Sequence, residues 1–125
     1  MKNFKQLKIW QQGILIVRQV YQVSEFLPNE EKYGLRSQMT RAAVSIPSNI
    51  AEGSSRFSDP DYKRFLEISL GSAFELQTQV LIVQELGLVG NCPVDVIERL
   101  LADLEEEQRM IHGLIATINR DIKNK

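Results

Sequence analysis

Along the first two dozen residues the large apolar side chains fall at Leu7, Trp10, Ile14, Val17 and Tyr21, in alternating steps of three and four. That spacing is the seam of an amphipathic helix and predicts a first helix over Phe4 to Ser24. Pro28-Asn29 breaks the pattern, and a second stripe follows at Leu35, Met39, Ala42 or Ala43, Ile46 and Ile50, ending near Gly53. Pro47 lies inside this second helix, where it removes the hydrogen bond to the Ala43 carbonyl at a cost of about 3 kcal/mol, so a kink is expected there. The third helix has the plainest start. Ser58 is placed to cap with Asp61 three residues on, Pro60 lies in the first turn, and Phe57 is placed to staple onto Tyr62, which sets the beginning at Asp59.

The apolar positions of this third helix include Tyr62, Phe65, Leu66, Leu70, Ala73, Leu76, Val80, Leu81 and Val83. They cover more than half of its circumference, which predicts burial on more than one side. Gly87 and Gly90 end it, and Pro93 opens a fourth helix with Asp95 near the positive end of its dipole. Its seam runs Ile97, Leu100, Leu104, Ile111, Ile115, Ile118 and Ile122, with Gln108 as a polar member. No stretch alternates with the period of a strand. Short connections make successive helices antiparallel neighbours, so the expected fold is all-α, an up-down-up-down four-helix bundle formed as one domain over residues 1–125.

Composition supports a folded chain, since 43% apolar and 25% charged residues are ordinary globular values and exclude disorder. The most apolar run, Val80 to Val89, contains Gln84 and Glu85 and falls short of a membrane span. The charged N-terminus lacks the pattern of a secretory signal, and Cys92 is the single cysteine, so a cytoplasmic location is expected, with no disulfide and no cysteine-rich zinc site. Net charge is −1, but residues 1–64 carry ten Lys or Arg against six Asp or Glu, and residues 65–125 carry five against ten. The expected molecule is bipolar.

Helix 2 combines small residues and a proline with a polar row at Arg41, Ser45, Ser48, Asn49 and Glu52, and helix 3 carries a small patch at Ser69, Gly71, Ser72 and Ala73. The preferred reading is a tight crossing of the two helices, with Gly71 marking close backbone approach and the serines and Asn49 serving the carbonyl freed by Pro47. A buried Glu75 would then pair with Arg41, and Arg41→Ala is expected to cost more than Arg56→Ala, about 3 to 5 kcal/mol for a buried pair. The alternative is a small polar pocket formed by Arg41, Ser45, Ser48, Asn49, Glu52 and Glu75. Glu105, Glu106 and Glu107 are consecutive, which spreads them around a helix and reads as a solvated face. His112 stands without a supporting His or Cys cluster, and Gly87-Leu88-Val89-Gly90 lacks the Lys-Ser or Lys-Thr of a phosphate loop. No enzyme, cofactor or metal motif emerges.

The segment Arg41-Ala42-Ala43-Val44-Ser45-Ile46-Pro47-Ser48-Asn49-Ile50-Ala51-Glu52-Gly53 is preceded by Tyr33-Gly34-Leu35 and Gln38 and followed by Arg64-Phe65-Leu66 and Gly71-Ser72. Together these residues resemble the bacterial four-helix bundle proteins encoded in intervening sequences of 23S ribosomal RNA genes, sometimes labelled ribosomal protein S23. The resemblance implies a homopentameric ring with no assigned biochemical function. It also touches a related branch, the accessory variability determinant of diversity-generating retroelements, a basic pentamer that binds nucleic acid and a reverse transcriptase. This chain is mildly acidic where that branch is basic. The resulting expectation is a non-enzymatic oligomeric scaffold or adaptor that binds itself and a protein partner, without a membrane. The rival is a nucleic-acid-binding accessory protein that uses Lys2, Lys5, Lys8, Arg56, Lys63 and Arg64 weakly through phosphates.

Overall fold

The computed structural model describes residues 3–125, and Lys2 lies outside them. Four helices form, α1 Lys8–Ser24, α2 Leu35–Ser54, α3 Asp59–Glu85 and α4 Val94–Lys123, with single 3-10 turns at Phe4–Gln6 and Asn29–Glu31. No strand occurs among the described residues. Each helix packs on the next and α1 closes on α4, whereas α1 and α3, like α2 and α4, stand across the diagonals without touching. This is the square cross-section of a four-helix bundle.

Ile16, Val20, Met39, Ile46, Ile50, Leu66, Leu76, Leu100, Leu104 and Ile111 fill the centre and are fully buried. Helix α1 differs from its expected register: it buries Ile9, Ile16, Val20 and Val23, and leaves Trp10, Ile14 and Val17 half-buried and Tyr21 exposed. The difference lies within one continuous helix and follows from composition. An apolar arc that includes both stripes is wider than one bundle interior can cover.

Helix α3 starts as expected, with the Ser58 hydroxyl accepting from the Asp61 N–H at 3.3 Å. The expected staple is not made: Phe57 is fully exposed, while Tyr62 is turned inward against Gly53 of α2. A Cβ on Gly53 would stand 2.8 Å from the Phe65 Cβ and 3.0 Å from the Tyr62 Cδ1, so the close approach of α2 and α3 occurs at Gly53. Gly71 is exposed and faces open space, contrary to its expected packing role. The helix continues through Pro47, which itself donates no backbone hydrogen bond. The Ser69 hydroxyl donates to the Ile46 carbonyl at 2.9 Å and the Asn49 amide to the Ser45 carbonyl at 2.9 Å, so neither reaches the Ala43 carbonyl.

On α4 the expected solvated face divides. Glu105 and Glu106 are exposed, but Glu107 is completely buried, because it lies three residues after Leu104 and four before Ile111 on the core seam. Gln108 is also buried, and its amide donates to the Gln77 Oε1 at 2.9 Å.

The glycines give a paired test. Gly53→Ala is expected to lower the urea midpoint strongly, since its methyl meets the Phe65 and Tyr62 atoms and Tyr62 backbone at 3.2 Å. Gly71→Ala adds a methyl to open space in a helix interior and should raise stability by about 0.5 to 1 kcal/mol. The reverse order in the same melts, with Gly71→Ala destabilising and Gly53→Ala tolerated, would mean that the close approach lies at Gly71 after all.

Candidate functional site

The polar residues of α2 do not converge on one point. Arg41 and Ser45 line a groove against α3 with Gln38, Ser72, Glu75 and Gln79, about 390 Å³ in volume. Within it the Ser45 and Ser72 hydroxyls lie 2.8 Å apart, and the Asn49 amide donates back to the Ser45 hydroxyl at 2.9 Å. Ser48 faces the opposite side of α2, and exposed Glu52 stands 3.7 Å from Arg56 one turn on. Arg41 and Glu75 are both exposed, and no ion pair joins them among the described residues. The expected buried pair is therefore absent because helix α3 turns Glu75 outward, one residue away from the core position Leu76.

Two apolar faces are more distinctive. Between α1 and α2, Trp10, Ile14, Val17, Val44, Pro47 and Ala51 line a groove of about 320 Å³ with Ser48 as its polar member. On α3, which lies diagonally across from α1, Ile68, Phe74, Leu81 and Ile82 are each 40–48% exposed. Only Leu81 of these four belongs to the apolar arc read in the sequence, whose other members are buried or half-buried; Ile68, Phe74 and Ile82 lie outside it. The helices also differ in charge. Helix α1 carries Lys8 and Arg18 and no acid, whereas α3 from Glu67 onward carries Glu67, Glu75 and Glu85 and no base.

Beneath the α1–α2 groove lies a feature that sequence reading missed. A Cβ on Gly13 would sit 3.2 Å from the Pro47 Cβ and 3.4 Å from the Glu107 Oε2, so this glycine lets α1 close on both. Neither oxygen of Glu107 has a hydrogen-bond partner among the described residues. Burial, reinforced by the neighbouring Glu106 charge, pushes its carboxyl up to about 8. The signal was present in the sequence as the heptad position between Leu104 and Ile111.

A third surface forms at the end of the bundle where α1 begins and α3 begins. The antiparallel topology brings Lys5 and Lys8 to the same end as Arg56, Lys63 and Arg64. The Arg56 and Arg64 guanidinium groups each lie 4.7 Å from the centroid of the Phe65 ring, and Phe57 in the preceding connection is fully exposed.

The profile described as 23S rRNA-intervening sequence protein matches residues 5–113, nearly the whole bundle. The chain belongs to the 23S rRNA-intervening sequence protein family. A solved relative in fold is the crystal structure of a Bacteroides thetaiotaomicron protein of unknown function from the S23 ribosomal protein family. It is 21% identical, superposes with a TM-score of 0.74, and the match covers 86% of this chain and 97% of that one. Among curated proteins no relative matches the chain. Membership in the 23S rRNA-intervening sequence protein family thus gives the fold and leaves the role to the surfaces. No helix among the described residues is long and apolar enough to cross a membrane.

The exposed position of Arg41 reverses the order expected from sequence. Arg41→Ala should leave the urea midpoint within about 0.5 kcal/mol of the parent. Arg56→Ala should cost up to about 1 kcal/mol through its contact with the Phe65 ring. A loss of several kcal/mol for Arg41→Ala would restore the buried pair.

Proposed function

We propose that this member of the family is a non-enzymatic, ring-forming scaffold, in which the outer face of α3 on one copy seats in the α1–α2 groove of the next. The observation that carries the reading is the pairing of a half-open apolar groove between α1 and α2 with a different set of exposed apolar side chains on α3, the helix diagonal to α1. A closed ring requires two such unlike surfaces, because each subunit gives one patch and receives another. The basic α1 and acidic α3 favour this pairing over contact between like faces, which would place equal charges together. Five copies is the number the family resemblance suggests. Such a ring repeats its exposed end five times and can hold a protein partner by many weak contacts.

Light scattering on a sizing column tests the assembly. The expected mass is five times the 14.3 kDa subunit. The double variant Phe74→Asp, Leu81→Asp should elute as a helical, cooperatively melting monomer. A parent protein that stays monomeric at every concentration would end the scaffold reading.

The end bearing Arg56, Lys63 and Arg64 supports a second reading, weak binding of single-stranded nucleic acid. Exposed Phe57 offers a stacking surface and the surrounding cations offer phosphate contacts. With a net charge of −1, the expected affinity is low, independent of sequence, and falls steeply between about 50 and 200 mM salt. Fluorescence anisotropy on the parent and on the Lys2, Lys5, Lys8 triple alanine variant checks this. Tight, sequence-selective binding that survives physiological salt would make nucleic acid the principal ligand.

A further inference from the structure

Glu107 is fully buried in the seam of α4, and both of its oxygens lack hydrogen-bond partners among the described residues. A charged carboxylate in that position would have neither water nor a cation to stabilise it, so the folded bundle requires the neutral acid. Against it stands Gly13 of α1, on which a Cβ would lie 3.4 Å from the Glu107 Oε2, and Pro47 of α2 packs on the same glycine; neither residue ionises. The charged groups of the surrounding helices point outward. Lys8 and Arg18 on α1, Arg41 and Glu52 on α2, Glu67 and Glu75 on α3, and Glu105, Glu106, Arg109 and His112 on α4 are all exposed. Asp103 is half-buried and already bonded to Gln19 and Arg99.

The contact between α1 and α4, the helix that carries Glu107, is polar. Between α1 and α4 runs a polar seam, where the Gln12 amide donates to the Asp103 carbonyl at 3.1 Å and to the Glu106 Oε1 at 3.0 Å, and the Gln19 amide donates to the Asp103 Oδ2 at 2.9 Å. The Gln19 Oε1 in this seam is itself buried without a partner. Helix α1 has no side-chain cap at its start, where Leu7 occupies the capping position. By contrast α2 and α3 are tied by the Ser69 bond to the Ile46 carbonyl and by the close packing at Gly53. Of the helices around Glu107, α1 is the one that covers the carboxyl, because Gly13 stands directly against the Glu107 Oε2.

We propose that Glu107 is a proton-held latch on α1 and, through α1, on the ring interface. This rests on the scaffold reading above, in which the α1–α2 groove receives the next copy. With the carboxyl neutral, α1 closes over Gly13 and supplies Trp10, Ile14 and Val17 as one wall of the groove. Ionisation draws water into the α1–α4 seam, α1 moves away, and the groove loses that wall.

The sign follows from linkage. The buried carboxyl titrates at about 8, against an ordinary 4.5 when hydrated. The closed state therefore holds its full advantage below about pH 4.5 and loses it as pH rises, until the loss is complete above about pH 8. Between those limits the ratio of open to closed subunits rises about tenfold per pH unit, the signature of one proton released per opening.

Hydrogen exchange corrected for intrinsic rates, together with light scattering, tests this between pH 5 and 8.5 on the parent and on Glu107→Gln, a neutral side chain of the same shape. In the parent, protection of α1 amides should fall about tenfold per pH unit while the α3 amides near Leu76 keep theirs, and the particle mass should fall over the same range. In Glu107→Gln both should stay flat. Equal pH profiles in the two proteins, or a loss shared equally by α3, would overturn the latch. A fall in α1 protection at constant ring mass would overturn its link to assembly. Monomers at every pH, including pH 5, would instead refute the ring and leave the α1 profile to report on the latch separately. Should Glu107→Gln fail to fold, Glu107→Leu serves the same comparison.

Discussion

The arrangement of this bundle depends on how closely α2 can be approached. Helix α2 carries Ala42, Ala43, Pro47 and Gly53 on the sides that meet its neighbours, so other helices pack onto its backbone and not onto long side chains. On one flank Tyr62 and Phe65 of α3 lie directly on Gly53, and Ser69 bonds the Ile46 carbonyl one turn above. On the other flank Gly13 of α1 meets the Pro47 ring. A proline in a helix interior costs about 3 kcal/mol as a rule, and side chains that bond nearby carbonyls offset part of that cost. Once α2 is fixed between α1 and α3, α4 has one open side left to close.

That close packing has a consequence at the surface. Helices drawn tightly onto α2 cannot also turn their full apolar arcs inward, so α1 keeps Trp10, Ile14 and Val17 on its shoulder and α3 keeps Ile68, Phe74, Leu81 and Ile82 bare. Scattered exposed apolar residues are ordinary on any protein. Here four of them lie on α3 together with Glu67, Glu75 and Glu85, whereas the α1 shoulder carries Lys8 and Arg18, so the two helices differ in charge where they are apolar.

Much of the fold was legible because each helix announces itself by a local rule. The period of three and four gave the helices, Ser58 with Asp61 gave the start of α3, and Pro93 gave the opening of α4. Local rules failed where a tertiary contact chose between two local solutions. Helix α1 offers two adjacent apolar stripes, and only the position of α4 and α2 decides which one is buried. Glu75 looked buried because the apolar arc around it is wide, yet helix α3 turns it outward, one residue away from the core position Leu76. Gly71 and Gly53 are both plausible contact points in sequence, and the difference between them depends on the rotation of α3. The candidate site was therefore legible as a list of unusual residues and not as a geometry.

Glu107 shows the limit of reading charge from sequence in a different way. Three consecutive glutamates occupy three directions on a helix, and a seam with steps of three and four through Leu104 and Ile111 must pass through 107 or 108. Both positions are polar here, and the bundle treats them differently. Gln108 reaches Gln77, whereas neither Glu107 oxygen has a partner among the described residues, and Gly13, which it lies against, offers no donor side chain. An apolar residue of similar size at 107 would pack the same space without that penalty, so the acid weakens the bundle at the α1–α4 seam in particular. A weakness confined to one seam moves one helix in preference to the whole fold. That helix also forms a wall of the α1–α2 groove, so the cost of the buried acid falls beside that groove.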